Sequence, residues 1–353
     1  MSENSIGTKP RIEYIDLAKG FCIILVVSFH LSLFYGVALP GTIFMKAFRM
    51  PLYFFLSGCF FKAYEGFWGF FKRKVNKLLI PFFFFYFLTS VGLPHVQVHL
   101  LGIDTNLLHV NKIFTAFLTE TYPNQPIWFL LCLFEESIIF YVLYLLAQKY
   151  EDKSNLIICV GSLLIGFIGI LLGLFSVNLP ATLDTAFSSM PFFAGGYYVF
   201  RKTDMLKPNK YDKYLPYYII VSFSLVAIIC NTLLIDSSQF YSFIKNTFSI
   251  KAALIFYPYG FFGIFGVILL AKLLKKLPLI SYFGRYSIML LVTHWVVFDF
   301  ISVVLNHLRL NLPIGYLFII NLVLTMLSYV IIIPFLRKFM PHVTAQKDVI
   351  KVE

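Results

Sequence analysis

Charge is what this sequence has least of. Only 13% of its 353 residues are Asp, Glu, Lys or Arg, and only 17 are acidic, against about a quarter charged in an ordinary soluble domain. Set against 59% apolar residues, that shortage excludes a soluble globular protein. No stretch between the apolar runs is long enough to form a sizeable soluble domain. Cysteine is also scarce. Cys22, Cys59, Cys132, Cys159 and Cys230 all lie within apolar runs, with no Cys-x-x-Cys pair and no ligand-like spacing to histidine. Neither a disulfide framework nor a metal centre is indicated, and we expect no metal or prosthetic group. A signal peptide is missing as well, because Asp16 and Lys19 interrupt the apolar stretch that follows Lys9 and Arg11. The N-terminal stretch reads as a retained first transmembrane helix.

What is present in quantity is aromatic and aliphatic residues, with 42 Phe and 22 Tyr, in apolar runs long enough to span a membrane. Cutting at Pro, Gly and charge clusters predicts ten helices, near 20–38, 46–62, 78–94, 126–147, 155–175, 185–200, 214–235, 251–271, 284–305 and 314–335. With the N-terminus inside, 21 Lys and Arg fall in cytoplasmic segments and 6 in outer ones. The positive-inside rule then places both termini in the cytoplasm and accounts for the net charge of +12 without nucleic acid. The expectation is an all-α integral membrane protein, a bundle of about ten helices in the cytoplasmic membrane. Residues 1–340 form one transmembrane domain surrounded by lipid, and 341–353 a short cytoplasmic tail. A helix is expected around "NKIFTAFLTETY" in the long outer connection of residues 95–125. A weak internal echo links "MPLYFFLSG" at 50–58 with "MPFFAGG" at 190–196.

Ionisable residues inside a bilayer are costly and mark function by default. Lys19 and His30 are eleven residues apart, close to three whole turns, so they share one face of the first helix about 16 Å apart along its axis. Asp16 lies near the same stripe. With Lys19 at the cytoplasmic boundary, His30 falls near the midplane. Glu135 and Glu136 reach a similar layer on the fourth helix, as do His294 on the ninth and Ser57 on the second. Adjacent glutamates point about 100 degrees apart, so one of the pair has a structural role. Ser57 suits close helix packing, "KRKVNK" at 72–77 suits a topology signal, and a membrane histidine can simply bond a neighbouring backbone.

Such a layer permits limited chemistry. A neutral imidazole is a suitable general base, and a buried carboxylate can orient it. A basic residue nearer the cytoplasm suits a long substrate that is anionic at one end and reactive at the other. Coenzyme A thioesters have that shape. Midplane ionisable residues also mark secondary transporters and flippases, but no convincing inverted repeat and no pair of Gly-interrupted broken helices supports that alternative.

The segment "RIEYIDLAKGFCIILVVSFH" resembles the first helix of the membrane-bound acyltransferase 3 family, in which an Arg precedes the catalytic His. Here Lys19 replaces the Arg and His30 supplies the His, a variant that resembles fucose 4-O-acetylases and related surface-glycan O-acetyltransferases. "FRMPLYFFLSGCFFK", "KRKVNKLLIPFF", "IWFLLCLF" and "FGRYSIMLLVTHW" extend the resemblance over most of the chain. It implies transfer of an acetyl group from cytoplasmic acetyl-CoA to a hydroxyl of an envelope carbohydrate or lipid-linked glycan. His30, with Glu135 or Glu136, would then be catalytic. Lys19, Lys72, Arg73, Lys74 and Arg285 would meet the donor, and Asp16, Arg49, Ser57, Trp128 and His294 the acceptor. Lys19 is a point charge where the family has a planar fork, and the carboxylate follows Trp128 at a longer spacing than in better-known members.

Overall fold

The computed structural model describes residues 12–352 apart from 65, 96–109, 204–205, 233–240, 244 and 311. Fourteen helices among them are α1 (Glu13–Tyr35), α2 (Thr42–Arg49), α3 (Pro51–Cys59), α4 (Phe67–Lys74), α5 (Ile80–Phe87), α6 (Val110–Leu118), α7 (Trp128–Gln148), α8 (Ser154–Leu174), α9 (Leu183–Lys202), α10 (Leu215–Thr232), α11 (Ile250–Leu274), α12 (Pro278–Arg285), α13 (Ser287–His307) and α14 (Ile314–Phe339). A two-residue hairpin, β1 (Tyr241–Ser242) with β2 (Thr247–Phe248), is the one sheet among these residues. The chain is thus an all-α membrane protein. Helix α6 falls on the expected segment near 111–122 and ends within it at Leu118, while residues 96–109 of that connection lie outside the described residues.

Among the described residues, eight helical segments are long and apolar enough to cross a membrane. The two expected spans not among them fall on α2–α3, broken at Met50–Pro51, and on α9. The reason is burial. Asp184, Thr185, Ser188 and Ser189 of α9 are at most 1% exposed, so this helix runs inside the bundle and meets protein where the outer helices meet lipid. An interior helix need not be apolar on every face. Two boundaries also move. The first helix begins at Glu13, well before residue 20, because Asp16 is buried against other helices and does not mark a membrane surface. The third span begins at Phe67 and carries π-turns at Val75–Leu79 and Leu88–Gly92.

The echo between residues 50–58 and 190–196 becomes a packing device. A Cβ added to Gly58 would lie 1.8 Å from the carbonyl oxygen of Phe193, and one added to Gly196 would lie 1.8 Å from that of Phe55. The two Phe-x-x-Gly words therefore cross reciprocally, each glycine letting the other helix's backbone approach. Gly196→Ala is expected to cost about 1–3 kcal/mol through overpacking. Its melting temperature in detergent should fall below that of Gly315→Ala, where an added Cβ meets nothing within 4 Å. Equal melting would show that the crossing tolerates a methyl group.

The C-terminal segment is docked. Asn76 sits in the first π-turn, 1% exposed. Its amide donates to the carbonyl of Ile350 at 2.8 Å, and its oxygen accepts from the backbone amides of Val349 and Ile350, each at 2.9 Å. Lys77 adds an ion pair to Asp348 at 2.9 Å. Residues 341–353, expected as a short cytoplasmic tail, thus bond to Asn76 and Lys77 of "KRKVNK".

Candidate active site

Two helices bring the histidines together, and glycines set their register. A Cβ on Gly20 of α1 would lie 2.0 Å from the carbonyl oxygen of Ile280, and one on Gly284 of α12 would lie 1.8 Å from that of Asp16. His30 lies ten residues beyond Gly20 on α1, about 15 Å along its axis, and His294 lies on α13, which follows α12 after the break at Tyr286. His30 Nδ1 lies 2.9 Å from His294 Nε2, with the ring centroids 5.1 Å apart.

The hydrogen-bond chain assigns the protons. His294 Nδ1 is 2.8 Å from the carbonyl oxygen of Leu290, which only accepts, so Nδ1 carries a hydrogen. His294 is fully buried, and an uncompensated charge there is expensive, so the ring rests neutral and its Nε2 is an acceptor. His30 Nδ1 therefore donates to His294 Nε2, leaving His30 Nε2 with the lone pair. His30 is 8% exposed and lines a cleft of about 510 Å³. A neutral, oriented imidazole with its basic nitrogen uncommitted is suited to general-base or nucleophilic work.

The cleft exists because α1 stops short. Gly36 adopts the left-handed conformation at φ 64, with its N–H bonded to Leu33 O and that of Val37 to Ser32 O. Residues 37–39 then turn aside and form the rim, with Leu33, which is 57% exposed. Helix α2 contributes Thr42, Lys46 and Arg49, the 3-10 turn Gln125–Ile127 contributes Gln125 and Pro126, and the start of α7 contributes Trp128. Tyr241, Ser242 and Phe243 form a further wall. That wall is pinned by Thr185 Oγ1, which donates to Phe243 O at 2.5 Å, and by Asn246, whose amide donates to Gly169 O at 2.9 Å. The buried Asn124 donates to Val292 O at 2.8 Å, tying the start of α7 to the helix that carries His294.

Of the residues singled out in the sequence, His30, Arg49 and Trp128 line the cleft, and His294 is bonded to His30. The others lie elsewhere. Glu135 accepts from Thr182 Oγ1 at 2.6 Å, and Glu136 is fully buried. The two diverge, as adjacent helical residues must, and neither lines the cleft. The side chain bonded to His30 is His294. Ser57 Oγ donates to Tyr53 O at 2.8 Å within its own helix. Asp16 is buried beside the α1–α12 crossing. Lys19 reaches 5.6 Å from the Phe60 ring centroid, Arg73 is 4.4 Å from that of Tyr64, and Lys74 is 5.4 Å from that of Phe70. Lys72 is half-buried in the same turn, and Arg285 is exposed beside Tyr286. These basic residues lie toward the opposite end of the bundle from the cleft rim. Sequence reasoning missed the hairpin wall, Gln125 and Lys46 as cleft residues. The hairpin carries no motif, and Lys46 reads only as a loop charge. Among the described residues, no three of His, Cys, Asp or Glu converge to hold a metal.

A hydrogen-bonded histidine pair bordering a cleft in a helical membrane bundle is an arrangement suited to acid-base or group-transfer chemistry. A family model described as an acyltransferase domain matches residues 12–336, nearly the whole chain. The protein therefore belongs to the membrane acyltransferase 3 family and is a multi-pass membrane acyltransferase acting on oxygen. Comparison with curated proteins and with solved structures yields no match.

Proposed function

We propose that the protein is an O-acetyltransferase of the cytoplasmic membrane. It moves an acetyl group from acetyl-CoA to a hydroxyl of an envelope carbohydrate or lipid-linked glycan, as the resemblance to fucose 4-O-acetylases implies. The observation that carries this reading is the His30 ring, which lines the cleft with its Nδ1 2.9 Å from His294 Nε2. As the acceptor oxygen attacks the thioester carbonyl carbon, its proton passes to His30 Nε2. The carbon–sulfur bond then breaks, and the departing thiolate takes that proton back. While His30 holds the extra proton, its Nδ1–H bond to His294 Nε2 strengthens, because the donor is then a cation. His294 Nδ1–H remains bonded to Leu290 O throughout. Glu135 and Glu136 have no step in this scheme.

The donor is taken to approach from the basic end, with both termini on that cytoplasmic side. Its phosphates would meet Lys19, Lys72, Arg73 and Lys74, while its acyl end lies about 16 Å away at His30. The acceptor occupies the cleft at the opposite face. Lys19→Ala is expected to raise the donor KM with little loss of kcat, because a charge contact made equally in the ground and transition states is uniform binding. Lys19→Arg should keep most activity. Kinetics in sealed vesicles, with labelled acetyl-CoA supplied to one face at a time, test both points. Donor use from the cleft face, or an unchanged donor KM in Lys19→Ala, would overturn the assignment. The reaction itself is tested by incubating protein in nanodiscs with labelled acetyl-CoA and envelope glycans.

A further inference from the structure

We propose that the cleft takes an acceptor bearing an anionic oxygen group, a carboxylate or a phosphate, and that Arg49 is its counter-ion. This rests on the reading that the cleft holds the acceptor.

Arg49 ends α2 and lines the cleft wall, yet it is only 8% exposed. Its guanidinium carbon lies 3.7 Å above the Phe29 ring centroid, next in sequence to His30. That stacking fixes the plane of the fork and leaves its edge available. Nη1 is buried and has no hydrogen-bond partner among the described residues, and no carboxylate among them pairs with it. Arginine keeps its charge in proteins, and a buried cation is retained at a cost unless something neutralises it.

The rest of the lining sharpens the point. Lys46, one turn before Arg49, also lines the cleft, while none of its described lining residues is Asp or Glu. Lys46 Nζ donates to Tyr241 O at 3.0 Å, and Tyr241 OH donates back to Lys46 O at 2.7 Å. It therefore holds the hairpin wall. A neutral sugar would leave Arg49 uncompensated. A carboxylate or phosphate offers two oxygens to a planar fork, the geometry that Arg matches best. Held there, such a group would direct a neighbouring hydroxyl toward His30, and the anion would select which glycan is modified.

The test is equilibrium binding to the full-length protein in nanodiscs, without donor, so that catalysis is not required. Methyl β-D-glucuronide carries a carboxylate, glucose 6-phosphate a phosphate, and methyl β-D-glucoside neither. At least one anionic probe is expected to bind the wild type about tenfold or more tightly than the neutral glycoside, equivalent to about 1.4 kcal/mol. Whichever anion is preferred identifies the source. Arg49→Gln should abolish the preference while leaving neutral-probe binding unchanged, and Arg49→Lys should keep part of it. Lack of preference in the wild type, no measurable binding of either anion, or a preference that survives in Arg49→Gln overturns the inference. So does an Arg49→Gln variant that loses affinity for desulfo-coenzyme A alone, which would make Arg49 a donor contact. Should Arg49→Gln fail to elute as a monodisperse particle, the wild-type preference and Arg49→Lys decide the matter. Labelled acyl transfer is measured separately. Failure there with an Arg49-dependent anion preference would remove the acetyltransferase reading and leave the anion site standing.

Discussion

His30→Ala is expected to lower acyl transfer by about 10²–10⁴-fold, the range a positioned general base supplies. The loss should fall on kcat, since the donor's phosphates and the acceptor's contacts lie elsewhere. Single-turnover transfer from labelled acetyl-CoA, with protein and donor premixed and acceptor added last, measures the step directly. The variant should remain abundant and monodisperse, because His30 borders an open cleft and the α1–α12 crossing at Gly20 and Gly284 lies ten residues away. Near-normal turnover by a folded His30→Ala protein would remove His30 from the chemistry. A nucleophilic role is separable in the same experiment. An acetyl group that stays with wild-type protein after denaturation, and is absent from the variant, would show covalent transfer through His30 in place of proton abstraction.

His294→Ala is expected to reduce kcat by about 100-fold, within the lower part of the range for acid-base groups, while both KM values change little. His294 acts through His30 by accepting its Nδ1–H, so its removal frees the ring to rotate and to present the wrong tautomer to the cleft. His294→Gln is expected to recover part of the activity, because its amide oxygen can accept the same hydrogen. The pH profile separates this role from simple packing. Positioning through the shared proton chain predicts that the acid limb of kcat shifts in His294→Ala and returns toward wild type in His294→Gln. A role in packing alone predicts less folded protein with an unchanged profile, and that outcome would dismiss the pair.

Much of the fold is legible in the sequence because lipid imposes length and apolarity on any helix it touches. The expected spans on α1, α4–α5, α7, α8, α10, α11, α13 and α14 all contain segments long and apolar enough to cross a membrane. The rule weakens where helices meet only protein. There α9 carries buried Asp184 and Ser188, and α1 continues back through Asp16. The candidate site divides along the same line. His30 stands out by its cost in an apolar run, and so do Glu135, Glu136 and His294, but cost alone does not say which of them meet. Depth estimated from 1.5 Å per residue places all four in one layer and says nothing of azimuth. Azimuth depends on the crossings. Gly20 against Ile280 and Gly284 against Asp16 bring the two histidines face to face, while α7 turns Glu135 toward Thr182.

The sequence by itself determined that the chain is an all-helical membrane protein, because lipid fixes the composition and length of its apolar runs, and it singled out His30 by its place in one such run. The family entered as a resemblance of motifs, which the family model bears out. Only the tertiary structure decided that His294 is the partner of His30, that Arg49 enters the cleft with its Nη1 unpaired among the described residues, and that a hairpin around Tyr241 and Phe243 walls it. Each of those depends on where separate helices touch, and that is set by backbone approach at a few glycines and by buried side-chain bonds. Neither leaves a periodic trace in the order of residues.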